Sequence, residues 1–127
     1  MDEVLESAEL TEKQLKEIKA KVEELKASDA KLKIVFPIVV EGNEYDSKEM
    51  YIGYFRQPTF VIFSKYISLS QKDNAVAMKT LANDCFLDGD KELITDDSLF
   101  LFGLMPQLSQ IIEIRNGKLV NLSKAGK

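Results

Sequence analysis

Asp84, Asp88, Asp90, Asp96 and Asp97 form the densest group of potential ligands or acid–base groups in the chain. Carboxylates at the right spacing can hold a hard cation or work as a paired acid and base. An EF-hand loop needs oxygen ligands at set positions and a closing bidentate glutamate, and Asp88-Gly89-Asp90 opens no such series. Asp96 and Asp97 stand where a helix start would use them, and nothing in the linear order sets two acids across a cleft. The 127 residues contain no histidine, which removes the usual general base, the histidine-dependent triads and the commonest zinc sites. Cys85 is the single cysteine, so neither an internal disulfide nor a cysteine cage can form. It falls on an apolar helical face with no histidine to activate it, and reads as a small core residue. The glycines are isolated, so no phosphate-cradling loop is present. The expectation is a protein with no catalytic residue, no cofactor and no metal.

Binding chemistry is the remaining class. Tyr51, Tyr54 and Phe55 could stack on bases, but only Lys48, Arg56 and Lys65 lie near them, and the chain carries a net charge of −4. A nucleic-acid surface needs a basic face that displaces counterions, so core packing accounts better for these aromatics and no nucleic-acid partner is expected. No apolar run approaches about 18 residues, so no membrane partner is expected either. Arg56 is the only arginine in the first hundred residues. It could pair within the chain with an acid such as Glu49 or Asp97, or it could anchor a partner's carboxylate through its planar fork. Residues 1–27 hold eight acids and five lysines. Their start lacks the basic and apolar regions of a signal peptide, and with a free cysteine this points to an intracellular location.

The elements that would position these groups follow from period and punctuation. Thr11 and Gln14 fit a capping box. Val4, Ala8, Thr11, Leu15, Ile18, Val22 and Leu25 recur at alternating spacings of four and three, a narrow seam on a charged helix over 1–27. Glu12–Lys16 and Glu17–Lys21 are favourable i,i+4 pairs. The seam either lies across the rest of the fold, the simpler reading, or forms an arm that pairs with another chain. Leu32, Ile34, Phe36, Ile38 and Val40 alternate with the residues between them as a strand, with Pro37 placing it at an edge. After a polar turn from Gly42 to Lys48, Met50–Phe55 returns as a second strand, where Gly53 allows a bulge or close approach. Pro58-Thr59 then signals a helix over 60–69, with strand as the alternative. Because that segment is apolar nearly all round, the helix is predicted to be buried.

Ala75, Met78, Leu81, Ala82 and Cys85 mark one face of a further helix that runs to about Phe86. Asp88-Gly89-Asp90 is read as a tight turn, and Thr95-Asp96-Asp97 as a helix start. Leu99–Met105 is apolar on all sides. Pro106 breaks or kinks it and restarts a helix that carries Leu108, Ile111 and Ile112. Asn116-Gly117 resembles a hairpin turn between 112–114 and 119–120. The fold class is α+β: an N-terminal charged helix, an antiparallel β-hairpin, then a C-terminal bundle of three to four short helices. Residues 1–28 form the amphipathic arm or docking helix and 29–127 a single domain.

From residue 31 to 123 the order of signals resembles a family of small bacteriophage proteins, the tail assembly chaperones. The resemblance rests on Lys33-Ile34-Val35-Phe36, on the corner Gly53-Tyr54-Phe55-Arg56-Gln57-Pro58-Thr59, and on Leu81-Ala82-Asn83-Asp84-Cys85-Phe86-Leu87. It continues through Asp88-Gly89-Asp90-Lys91-Glu92, Asp96-Asp97-Ser98-Leu99-Phe100-Leu101 and Gln107-Leu108-Ser109-Gln110-Ile111-Ile112-Glu113-Ile114. The helix over 1–27 lies outside this pattern. The resemblance implies a non-enzymatic protein that binds apolar helical surface of a tape-measure or other tail protein during virion assembly, in the host cytoplasm. The alternative is a structural virion component (adaptor, ring or decoration protein) that self-associates through its N-terminal helix. Partners are therefore expected among phage tail or other virion proteins, with a homo-oligomer as a further expectation. The candidate contact residues are Leu15, Ile18, Val22 and Leu25 on the seam, Arg56 at the corner, and Phe100, Leu101, Leu104 and Leu108. For the last four, simple burial is the slightly favoured alternative.

Overall fold

A computed structural model of the chain describes residues 10–112 and 118–122. The elements in order are α1 (Glu12–Ser28), β1 (Val35–Glu41), β2 (Met50–Arg56), α2 (Phe60–Ser70), α3 (Asn74–Cys85) and β3 (Phe86–Gly89). They are followed by α4 (Glu92–Thr95), α5 (Asp97–Leu99), a π-helical turn (Phe100–Leu104) and α6 (Met105–Ile111). The architecture is α+β, with one antiparallel sheet in the order β1-β2-β3.

Side-chain caps set most helix starts. The Thr11 N–H donates to Gln14 Oε1 at 2.9 Å and the Gln14 N–H to Thr11 Oγ1 at 3.0 Å, the reciprocal pair that the spacing predicts. Thr11 itself is extended, so α1 begins at Glu12 and the expected helix over 1–27 is shortened. Val4 and Ala8 lie outside the described residues. Thr59 caps α2, Asp73 caps α3 and Asp96 caps α5, each accepting from backbone N–H groups in the first turn.

β1 and β2 pair in one register, with Phe36 opposite Phe55, Ile38 opposite Gly53 and Val40 opposite Tyr51. The Gly42 N–H donates to the Glu49 carbonyl at 2.9 Å and extends the ladder. Antiparallel ladder bonds alternate, so the even-numbered residues of β1 face β2. Pro37 then turns its missing donor to the free edge, where the lack costs nothing and blunts further pairing. The third strand departs from expectation. Phe86–Gly89, read from sequence as helix end and turn, pairs with β2 through a bulge between Tyr54 and Phe55. Phe86 meets Phe55 edge to face, with ring centroids 5.5 Å apart.

Both faces of this sheet are covered. One carries Phe36, Ile38, Val40, Tyr51 and Phe55 against Met78, Leu81, Ala82 and Cys85 of α3 and against Phe100, Leu104 and Leu108. The other carries Val35 and Tyr54 against Ile18 of α1 and Leu32, with Leu10, Val22 and Leu25 at the margin. The seam of α1 is thus used inside the chain, as in the simpler of the two readings. Neither i,i+4 pair proposed on α1 closes as an ion pair among the described residues. Lys21 reaches across to Asp88 at 2.7 Å instead and ties α1 to β3.

Pro106 falls at the restart of the helix, as the sequence predicts. The preceding turn is widened, with the Met105 N–H donating to the Phe100 carbonyl five residues back, and Pro106 sits in the first turn of α6. An α-helix would need an N–H from residue 106 to Phe102, and the wider turn passes over that demand. Gly103 lies against Val40 too closely to admit a Cβ. The expected Asn116-Gly117 turn lies outside the described residues; on its flanks α6 ends at Ile111, and Leu119–Val120 form no strand.

Gly89 has φ +118° and packs where a Cβ would run into the Ile52 carbonyl oxygen. Gly89→Ala is expected to cost at least about 1–3 kcal/mol of backbone strain, read as a lower urea midpoint at unchanged slope. An unchanged midpoint would show that β3 does not end in this conformation. The Asp88 carboxyl is held below its ordinary value first by the hydrogen bond from Lys21 and then by the Gly89 N–H. A depressed native pKa gives stability that is complete above the ordinary value of 3.8 and is lost as pH falls through the depressed one. Lys21→Met should therefore reduce the loss of stability on acidification in that range. Parallel acid profiles for variant and parent would refute the pairing.

Candidate partner-binding surface

The acids that looked most like chemistry have structural work. Asp84 pairs with Lys65 at 3.1 Å and Asp97 with Lys79 at 3.4 Å. Asp88 holds Lys21, and Asp96 caps α5. Asp90 accepts from Lys48 Nζ at 2.6 Å with one oxygen and from the Ile52 N–H at 2.9 Å with the other, fixing the end of β3 to β2. Among the described residues no group of three or more Asp, Glu or Cys is placed to hold a metal ion. Cys85 is buried at the end of α3, and burial, aided by the charge of Asp84 and opposed by Arg56, pushes its thiol up to about 12. A thiol held protonated is a poor nucleophile.

An open concavity of about 570 Å³ lies within the loop between β1 and β2. Its polar groups are engaged with one another: the Asn43 N–H donates to Asp46 and the Tyr45 N–H to Asn43 Oδ1. A smaller groove of about 300 Å³ runs between β1 and α6, lined by Phe36–Val39 on one side and by Gln107, Gln110 and Ile111 on the other.

The contact residues expected from sequence divide sharply. Ile18 is buried, and Val22 and Leu25 are half-covered against the sheet, which leaves Leu15 as the exposed one of these four candidates. Phe100, Leu104 and Leu108 are core, so three of the four residues proposed around the π-helical turn face inward. Leu101 is partly open, and its neighbour Phe102 is 81% exposed. Arg56 is half-buried and makes neither proposed intrachain pair. Among the described residues its polar contact is donation from Nε to the Gln57 carbonyl at 3.3 Å.

The largest correction concerns α2. The helix predicted to be buried has no buried residue. It packs beside α3 across a three-residue turn, and only Ile62 and Tyr66 reach the core. Phe60 is 86% exposed, Val61 73% and Ile67 41%. Phe60, Phe63 and Ile67 share one face at helical spacing, and Phe63 stacks on Tyr66 with centroids 5.8 Å apart. Single exposed apolar residues are ordinary, but an aromatic and aliphatic stripe along one helix is a binding surface or an aggregation hazard. Sequence reasoning missed Phe60, Val61 and Ile67 because it took apolarity on all sides as burial. The usable signal was the short turn Gln71-Lys72-Asp73, which commits α2 to a single neighbouring helix and leaves its far side uncovered.

Compared with known proteins, the chain matches no family model, no curated sequence and no solved structure.

Cys85 in the folded protein should stay unlabelled by a small aromatic disulfide reagent at about pH 8 and react only on addition of denaturant. Rapid stoichiometric labelling of the native chain would contradict its placement.

Proposed function

We propose that this protein is a non-enzymatic binding module that shields an apolar helical segment of another protein, in the manner of a phage tail assembly chaperone holding the tape-measure protein or another tail protein. The observation that carries this reading is the exposure of three apolar side chains on α2: Phe60 and Ile67, which share one face, and Val61 beside them. A helix with apolar residues on its open side is suited to pack against another helix along matching i, i+3, i+4 and i+7 positions. Arg56, placed four residues before Phe60 and without a carboxylate partner among the described residues, could add an ionic anchor. The expected location of such a complex is the host cytoplasm during assembly.

The structural-component alternative relied on the α1 seam for assembly. That seam has less to offer, because Ile18, Val22 and Leu25 already pack on the sheet. No described helix is long and apolar enough to cross a membrane.

Co-expression of the full chain with a helical fragment of the tape-measure protein from the same phage tests the proposal. The fragment should become soluble and co-purify with the parent chain. The double variant Phe60→Ser/Val61→Asp should lose it while its melting stays within about 0.5 kcal/mol of the parent, since both positions are on the surface. Retention of the fragment by the double variant would remove α2 from the reading, and failure of the parent chain to hold it would remove the reading.

A further inference from the structure

Acids are distributed unevenly along the chain. Residues 50–72 contain no aspartate or glutamate and three bases, Arg56, Lys65 and Lys72, in a protein whose net charge is −4. α2 occupies the middle of this stretch. Lys65 is neutralised by Asp84, but Arg56 and Lys72 form no ion pair among the described residues. The exposed stripe is therefore bracketed by unmatched positive charge, Arg56 ahead of the Thr59 cap and Lys72 in the turn after Ser70.

The complementary composition stands at residues 1–9, Met-Asp-Glu-Val-Leu-Glu-Ser-Ala-Glu, outside the described residues. Asp2, Glu3, Glu6 and Glu9 give four acids with no basic side chain. Met1, Val4, Leu5 and Ala8 recur at i, i+3, i+4 and i+7, one face of a helix. An apolar stripe flanked by acids is the counterpart of an apolar stripe flanked by bases.

We propose that residues 1–9 of one copy of the chain dock on α2 of a second copy, with Val4 and Leu5 against the Phe60–Phe63–Ile67 face and the acids beside Arg56 and Lys72. The inference rests on the reading of α2 as a docking face, and adds that the free protein covers this face with its own sequence, so an incoming partner must compete. A second copy is the simpler source of the segment. α1 packs on one face of the sheet and α2 joins the core on the other. As a helix, nine residues span about 13 Å. The route from α1 past the sheet to the outer side of α2 crosses layers of roughly 10 Å each. An extended chain would reach, but Val4 and Leu5 would then point to opposite sides and the stripe would be lost. An anionic bilayer would also suit an apolar and basic surface. It is disfavoured because only two bases are unmatched and the rest of the protein is acidic, whereas stable surface binding takes more than a short apolar contact.

The test is the mass of the full chain in solution by sedimentation equilibrium, over a range of protein and salt concentrations. The parent should self-associate, more weakly as salt rises. Glu3→Lys/Glu6→Lys/Glu9→Lys and, separately, Arg56→Glu/Lys72→Glu should each weaken association at least about tenfold, and an equimolar mixture of the two should recover it. A general loss of folding cannot produce that recovery. A parent chain that stays monomeric, or association that ignores both charge reversals, would overturn the proposal. So would a monomeric chain that pellets with phosphatidylserine-containing vesicles. If the parent is monomeric yet the tape-measure fragment is held and then lost in Phe60→Ser/Val61→Asp, the docking face stands and self-capping falls. If both charge tests succeed and the fragment never binds, self-capping stands and the chaperone reading falls.

Discussion

A short sheet buried on both faces is the constraint from which the rest of this structure follows. Three strands, the last of only four residues, have too little ladder to stand alone, and their stability must come from what covers them. Each face therefore requires a helical layer. On one side α1 supplies Ile18, with Leu32 from the following loop, and on the other α3, the π-helical turn and α6 supply Leu81, Phe100, Leu104 and Leu108. Phe55, fully buried on the central strand, is the point where the second layer converges. Once these elements are committed to the sheet, α2 is the long helix left over. It touches the core through Ile62 and Tyr66, and no described element covers its other side.

The ionic groups serve the same end. Lys21–Asp88 binds the outer helix to the edge strand, and Asp90 joins the Lys48 ammonium to the Ile52 amide, so β3 is held at its C-terminal end by charge and backbone together. Isolated surface ion pairs contribute little, but here the carboxylates also accept backbone N–H groups whose pairing the sheet needs. The densest group of carboxylates in the linear sequence becomes, in three dimensions, a set of separate fastenings. The constraint on β3 is steric as well, since only a residue without Cβ fits between Gly53 and the Ile52 carbonyl at position 89.

Features decided by near neighbours in sequence were legible before the fold was known. The Thr11–Gln14 box, the Thr59 cap, the helix start at Thr95-Asp96-Asp97, the edge position of Pro37 and the restart at Pro106 all depend on contacts within a few residues. What failed depended on distant ones. Phe86-Leu87-Asp88-Gly89 has no strand period of its own and becomes a strand because β2 offers an edge and Phe55 a ring to meet. The helix over 1–27 was overextended because the apolar spacing continues through Thr11, whereas the cap requires Thr11 to be extended. The exposure of α2 was missed for the same reason. Hydrophobicity says that a side chain would gain from burial, but whether it is buried depends on how many partners the chain can bring to it.

Magnitudes show what an exposed apolar helix can offer a partner. Full burial of a Phe, Val or Ile side chain is worth about 1.5–3 kcal/mol, so Phe60, Val61 and Ile67 together offer a partner on the order of 6 kcal/mol before costs. Association costs are estimated at 4–15 kcal/mol. The stripe alone is thus too weak to drive tight association of any kind, self-association included, without matching charge beside it. A partner that brings a longer apolar helix and matching acids for Arg56 and Lys72 moves the balance toward binding, but not far. A surface poised in this way suits a transient hold, in which a client is kept from aggregating and then surrendered to a larger interface.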